Sequence, residues 1–497
     1  MAAPSLHPWV HPFSLAFVPG PSSPAIEQVR RVLFGWLERA GCTITTEPNN
    51  STELIVTTNV FGRTVHRDDS LFFHAKRRYR LSQRPTILTI VDIPEAEYQS
   101  WVTHFEELVK LPEEAALTEQ YAGLGPQAVE VIAAQARRGG PELAIGRLIQ
   151  GQVLSIRVMA LRTENGRPYR AMHFDLAGAR PVSDATDLDA FAEDVGSRWL
   201  AAVCATEVNH HSFSEQALPG DIWTGLSGPD AMVRAGQLFT RYGFFTTPTE
   251  VEKILGYRGI GDAISAQYSE GCYGVFEPDI PGLLTTATGS SRLVDKRSIT
   301  RTDQAIVVGL APGGDGAIVR PVAGMEPVVP SVEAVEMMSI CEAVPTHTRV
   351  NSRGEPVTVP NVRAILHGHL GVDAYNPTRV ESVNLDPLYY TQLVSCGTGP
   401  LARGTAAAFA RSQALSNRDD PRSLVFLEQP GHGVIVVEKW TEAGALRPAF
   451  DLIREALTEG HLQMSFDIPQ GPFGWETTTS LDGQPMRRKV AEPVQVA

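Results

Sequence analysis

Apolar and polar positions along this chain change period repeatedly, and those changes predict its elements. Ile26, Val29, Val32, Leu33, Trp36 and Leu37 recur at helical spacing, which predicts a helix over Ala25–Ala40 with Gly41 as its stop. Residues 1–24 hold several prolines and read as an irregular arm. Short apolar runs at Cys42–Thr46, Glu53–Thr58 and Thr86–Val91 predict strands, and helical periodicity returns at Glu95–Leu111 and Pro126–Arg138. Gly139-Gly140-Pro141 reads as a turn. Two runs, Gln152–Arg162 and Tyr169–Leu176, flank Asn165-Gly166, a dipeptide suited to a tight hairpin because both central residues need positive φ. A helix at Asp187–Ala202 closes this half. Strands alternating with helices predict an α/β layer with partly parallel pairing.

Around Leu218–Gly228 the composition shifts to Pro, Gly, Ser and Asp, which places a domain boundary there: residues 1–220 against 221–497. Helices follow near Pro229–Tyr242 and Pro248–Leu255, then short strands at Gly274–Phe276, Leu283–Thr286, Ala305–Gly309 and Ala317–Pro321. A helix over Val332–Glu342 precedes an apolar strand around residue 365. A further helix at Thr398–Ala414 precedes two strands, Leu424–Leu427 and Val434–Val437.

Composition narrows the picture. The 497 residues are 43% hydrophobic and 20% charged, as for a globular chain able to bury large cores. The net charge of −13 argues against general binding to nucleic acid or anionic membranes. The run Lys76-Arg-Arg-Tyr-Arg80 reads as a solvated face. Five scattered cysteines (Cys42, Cys204, Cys272, Cys341, Cys396) form no C-x-x-C pair and fit reduced thiols, hence a cytoplasmic protein. The first residues lack a basic start followed by an apolar run, and no stretch approaches 18 apolar residues, so neither a signal peptide nor a membrane span is expected.

The densest chemistry lies in Val362-Arg-Ala-Ile-Leu-His-Gly-His-Leu370. On a strand, residues i and i+2 share a face, so His367 and His369 can reach one point. His432, in Gln429-Pro-Gly-His-Gly433 between two apolar runs, sits at a strand–turn–strand corner from which a third imidazole can be aimed. Three imidazoles with an open position suit catalytic zinc, or another divalent metal. Two histidines on a strand are also compatible with hydrogen-bonded core groups. The adjacent pair His210-His211 points in two directions and reads as structural.

Six segments in order resemble the class II aldolase/adducin family over about residues 230–470. Leu284-Thr-Thr-Ala-Thr-Gly-Ser290 is similar to the family's phosphate loop, and Ser298–Val308 to the strand approach after it. Ser331-Val-Glu333 resembles the family's S-S-E, and Ala364-Ile-Leu-His-Gly-His369 its paired histidines. Cys396-Gly-Thr-Gly-Pro-Leu-Ala402 looks like its G-T-containing helix start, and Leu424–Val437 like its strand–H-G–strand corner. Residues 1–220 resemble no family named here.

The resemblance implies an α/β/α domain with a central, mostly antiparallel sheet behind the N-terminal α/β layer domain. It implies His367, His369 and His432 as zinc ligands and Glu333 as the carboxylate that moves protons, with Glu336, one turn along, as the competing choice. Glu333 alone also reads as a capping carboxylate. Thr288, Gly289, Ser290 and Ser331 become anion donors on the substrate side. A tyrosine just after the histidine pair donates a proton across subunits in some members. Tyr389 and Tyr390 lie there, Tyr390 being the chosen one, and core filler is the other reading. The implied assembly is a homotetramer, and the implied activity is a zinc-dependent carbon–carbon lyase acting on a small hydroxy-carbonyl or sugar-like substrate by retro-aldol, enediolate chemistry. A dehydratase or epimerase on the same scaffold, or a non-catalytic adducin-like interaction protein, are the alternatives. Departures are concrete: Gly271-Cys272 stands where the family has G-N, so an anion-holding amide is lost; Val332 replaces a serine; and Gly368 replaces a hydroxyl residue between the histidines.

Overall fold

A computed structural model describes residues 11–62, 86–151, 157–162, 168–175, 178–184, 188–208, 211–242, 244–245, 247–256, 269, 271–288, 295–368, 372–374, 380–384, 397–429, 433–441, 447–459, 462–464, 473–479 and 485–491. The first half runs β1 (Ser14–Phe17), α1 (Pro24–Arg39), β2 (Thr43–Thr45), β3 (Leu54–Val60), β4 (Thr86–Pro94), α2 (Glu95–Leu108), α3 (Pro126–Gly139), α4 (Pro141–Gly151), β5 (Arg157–Arg162), β6 (Pro168–Asp175), β7 (Gly178–Asp184) and α5 (Leu188–Val208). Its seven strands form one sheet in the order β2-β1-β3-β4-β5-β6-β7. The first five are parallel and the last two antiparallel. The 2-1-3-4-5 order of the parallel part is a doubly wound arrangement. Both faces are covered, as parallel strands require: α1 and α5 pack on one, and α2, α3 and α4 on the other.

Two expectations need correction here. Residues 14–17 belong to β1, inside the sheet, and Leu15 is fully buried; the prolines around it end the strand without abolishing it. The Gly-Gly-Pro turn is a break between two helices: Gly140 takes φ +84, and Pro141 opens α4 at the one helical position where its missing N–H costs nothing. Of the run expected as a strand from Gln152 to Arg162, residues 157–162 form β5 and pair with β4, and residues 152–156 lie outside the described residues. At the carboxyl ends of the parallel strands, buried Asp92 accepts from the Phe61 amide (3.0 Å) and from Arg162 Nε (3.0 Å), tying β3, β4 and β5 together.

The second half adds β8 (Ser212–Phe213), α6 (Gly220–Gly225), α7 (Gly228–Thr240), α8 (Pro248–Leu255), β9 (Cys272–Glu277), β10 (Gly282–Thr286), β11 (Gln304–Leu310), β12 (Ala317–Arg320), α9 (Ala334–Ala343), the hairpin β13 (Thr346–Val350) and β14 (Pro356–Pro360), β15 (Ala364–Gly368), β16 (Val372–Ala374), β17 (Val380–Asn384), α10 (Gly399–Ala410), β18 (Leu424–Gln429), β19 (Gly433–Glu438), α11 (Asp451–Thr458) and β20 (Leu462–Met464). Nine strands pair in the order β17-β18-β19-β15-β9-β10-β11-β12-β8, antiparallel except at the two outer pairs. Strand pairing thus passes from the first sheet to the second between residues 184 and 212, whereas composition alone shifts nearer 220. α6, α7 and α11 cover one face, and α9 and α10 the other. The chain is therefore α/β with several sheets, the larger one mostly antiparallel and layered by helices on both sides. α8 belongs to the other core: Val251, Ile254 and Leu255 pack with α3 and α4 of the first half, and the Gln120 amide donates to the Ile254 carbonyl.

Strand β15 sits fourth of nine and is buried along its whole length, which is why its sequence is a continuous apolar run rather than an alternation. Close backbone packing fixes two glycines beside it. A Cβ on Gly368 would stand 2.6 Å from the Phe244 ring, so the close approach of that ring calls for glycine after His367. Gly271 takes φ +72 with the His367 carbonyl 2.9 Å from where a Cβ would lie. Among the described residues no helix is long and apolar enough to cross a membrane.

Candidate active site

His367 is fully buried near the end of β15, facing Cys272 on β9 and Ile435 on β19 in register. Ile365 and Ile435 belong to the core under α9 and α10, so strand alternation puts the His367 ring on that face. Its Nδ1 lies 3.0 Å from the Val434 carbonyl. A carbonyl only accepts, so Nδ1 carries the proton and Nε2 holds the lone pair. This backbone-anchored tautomer is the usual support of a metal-ligating imidazole.

The carboxylates come from the start of α9. Glu333 occupies the N-cap position with helical backbone angles and makes no side-chain cap bond, so capping does not account for it. Its carboxylate instead accepts from the Ser331 hydroxyl. Ser331 is placed by a strand-like bridge: its amide donates to the Thr286 carbonyl (3.0 Å), and the Thr288 amide donates to Val329 (2.9 Å). Thr288, Ser331 and Glu333, singled out separately in the sequence, thus lie along one short stretch of paired backbone, all three nearly buried.

Glu336 is fully buried one turn further on. Its Oε2 accepts from Gln429 Nε2 (3.0 Å) and its Oε1 from the Gly397 amide (3.4 Å). Burial pushes its carboxyl up to about 8, the Glu333 charge adding to the rise while the bonds from Gln429 and Gly397 oppose it. Burial and the same two carboxylates, Glu333 first, drive the Cys272 thiol well upward, although the Lys296 ammonium and a Ser331 bond oppose them. Cys272, in register with His367 and within electrostatic reach of both carboxyls, is therefore a protonated thiol. Lys296 is a nearly buried cation: its Nζ donates to the Ser269 carbonyl (2.8 Å), its amide to Ser269 Oγ (2.8 Å), and its carbonyl accepts from Tyr273 (3.2 Å).

The structure thus brings His367, Glu333, Ser331 and Thr288 to one region and adds Cys272, Glu336, Gln429 and Lys296 to it. His369, His432, Gly289, Ser290, Tyr389 and Tyr390 lie outside the described residues, as does the basic run 76–80. Among the described residues, which include only His367 of the three expected ligands, no group of three or more His, Cys, Asp or Glu is placed to hold a metal ion. His211 Nδ1 accepts from the Ala317 amide (3.2 Å), and His210 lies outside the described residues. Gln429 and Glu336, 93 positions apart, could have been paired from sequence only by knowing that the chain returns to the same place.

The acidic pair has a consequence for stability. Glu336 is raised to about 8 and Glu438, also fully buried, to about 7, from a value of 4.5 in the open chain. A raised carboxyl binds its proton more tightly in the folded state, so its contribution is full below about 4.5 and lost as pH rises through the folded values. The melting temperature should fall between about pH 5 and pH 9, and Glu336→Gln, neutral throughout, should flatten that fall. A pH series of thermal unfolding on both proteins checks this; equal slopes would count against it.

Comparison with protein-family models, with curated proteins and with solved structures returns no match.

Proposed function

We propose that this chain is a metal-dependent enzyme, with zinc as the metal, that makes and breaks a bond beside a carbonyl in a small hydroxy-carbonyl or sugar-like substrate. Carbon–carbon cleavage is the leading reaction. The observation that carries this reading is the coincidence, on one face of one sheet, of an imidazole held in the ligating tautomer and a buried carboxylate pair. His367 fits such a metal through Nε2, and His369 and His432 would complete the set. Zinc, when bound, supplies Lewis acidity that eases carbanion character next to a substrate oxygen.

The chain's own groups do the rest. Glu333, in a nearly dry pocket and held by Ser331, takes a proton from substrate oxygen or carbon and returns it later. Glu336, protonated near neutral pH, adds no second negative charge beside it. Thr288 and Ser331 would receive an anionic or hydroxylated substituent, and Gly289 and Ser290, which follow Thr288 in sequence, are proposed to share that role. Tyr390 is proposed as a proton donor from an adjoining copy in a homotetramer, and the scattered thiols support a cytoplasmic setting.

The test is product analysis by NMR in deuterated buffer. Zinc-loaded and metal-stripped protein are incubated with a panel of hydroxy-carbonyl compounds, phosphorylated and not. Cleavage gives two fragments, dehydration one product lighter by water, and epimerisation an isomer. Zinc-dependent turnover, or at least zinc-dependent C–H exchange, is expected for some member of the panel. A zinc-loaded protein inert to every compound in both respects would remove the enzymatic reading.

A further inference from the structure

Glu336 does something that proton chemistry at Glu333 does not require. Its two oxygens reach two other parts of the fold, at 61 and 93 residues' remove. One contact is the Gly397 amide, just before α10, where the backbone takes φ +82 and only glycine is at ease. The other is Gln429, last residue of β18, paired with Gly433 in the final rung of the β18–β19 ladder. In sequence that rung is followed by Pro430-Gly-His432, which lies outside the described residues. Glu336 therefore ties the end of β18, and the entry to α10, onto the helix whose first residue follows Glu333.

A hydrophobe would fill the same volume without the desolvation cost of a carboxyl. What a carboxyl adds is two oxygens with a fixed separation on one planar group, so two distant backbones are set relative to each other. We propose that Glu336 is the positioning residue of the site, clamping the end of β18 and the start of α10 against α9 so that these elements keep one geometry relative to His367 and Glu333. The inference rests on the zinc reading given above, but the clamp itself can be read without metal.

The neutral form of the group shapes the test. Gln429 Oε1 is buried and has no hydrogen-bond partner among the described residues. In Glu336→Gln, the new amide oxygen can keep the Gly397 bond, and the new NH2 can donate to Gln429 Oε1 after that side chain flips. Glu336→Gln is thus a conservative replacement, and Glu336→Ala removes both tethers.

Two measurements on the full-length chain separate the possibilities. Zinc affinity is read by competition with a chromogenic chelator at neutral pH. Amide hydrogen exchange of the metal-free protein is read over peptides covering 397–402 and 425–429. Glu336→Ala should lose protection in both segments and bind zinc about 10–100-fold more weakly, as loss of an outer support does. Glu336→Gln should match the wild type in both. Should Glu336→Ala fail to fold, Gln429→Met, which keeps the volume and removes one tether, should show the same loss of zinc affinity. Wild-type behaviour of the Ala or Met variant, or a Gln variant as impaired as Ala, overturns the proposal. A wild type that takes up no zinc while exchange still depends on Glu336 would sink the zinc reading and leave the clamp standing.

Discussion

Replacing His367 with alanine is expected to abolish the stabilisation that zinc confers on the protein. A ligand that binds only the folded state at a concentration 100 times its Kd adds about 2.7 kcal/mol. For the wild type this appears as a rise in melting temperature on adding zinc and its reversal by a chelator. His367→Ala removes one of three imidazoles, and its affinity should fall by at least the 100-fold or so that even outer supports can cost. Added zinc should then leave its melting curve unmoved. The variant also removes the imidazole bond to the Val434 carbonyl, which stands in register with Gly368, and opens a void in a fully buried strand, so its metal-free baseline will sit lower. The comparison is therefore the zinc-dependent shift within each protein. Equal shifts in both would mean that the metal, if any, sits elsewhere.

Glu333→Gln should have the largest effect on chemistry with the least on structure. The amide keeps the shape and can still accept from Ser331 through its oxygen, but it cannot take a proton. A general base is worth about 10²–10⁴ in rate, so zinc-dependent C–H exchange or turnover should fall by that factor while zinc content stays at the wild-type level. Glu336→Gln provides the contrast. It replaces a group that is already protonated near neutral pH, held at about 8 by burial, and should be nearly silent. If the outcomes are exchanged, with Glu336→Gln inert and Glu333→Gln active, the base is Glu336 and the assignment within the pair is reversed.

What could be read from the sequence depended on how local the cause was. The amphipathic helices α1, α3, α7 and α8 were legible because their period is set by residues within two turns. The histidine strand was legible because a central strand buried on both faces leaves an uninterrupted apolar run. β1 was hidden by its brevity, four residues between prolines, and its place inside the sheet comes from pairing with β2 and β3, not from its own pattern. α4 was masked by a Gly-Gly-Pro signal that marks a break equally well between helices as between a helix and a loop. The hairpin β13–β14 alternates only weakly and lies mostly at the surface, so no apolar period announced it.

The site divides the same way. His367 and Glu333 were found by residue type within a local context, and the structure sets both on the helix-covered face of one sheet. Thr288 and Ser331 were named from separate segments; that they flank one backbone bridge, Ala287 to Pro330, is a tertiary fact. Gln429 and the clamp role of Glu336 left no local trace, because a hydrogen bond spanning 93 residues imposes no period on the chain.

X-ray absorption at the zinc edge of the reconstituted protein tests the central claim most directly. Imidazole nitrogens at about 2.0–2.1 Å, three in number with a light-atom fourth neighbour, are the predicted shell. A sulfur neighbour at about 2.3 Å, which would bring the Cys272 thiol in as a ligand, or zinc that washes out without an ordered shell, would contradict it.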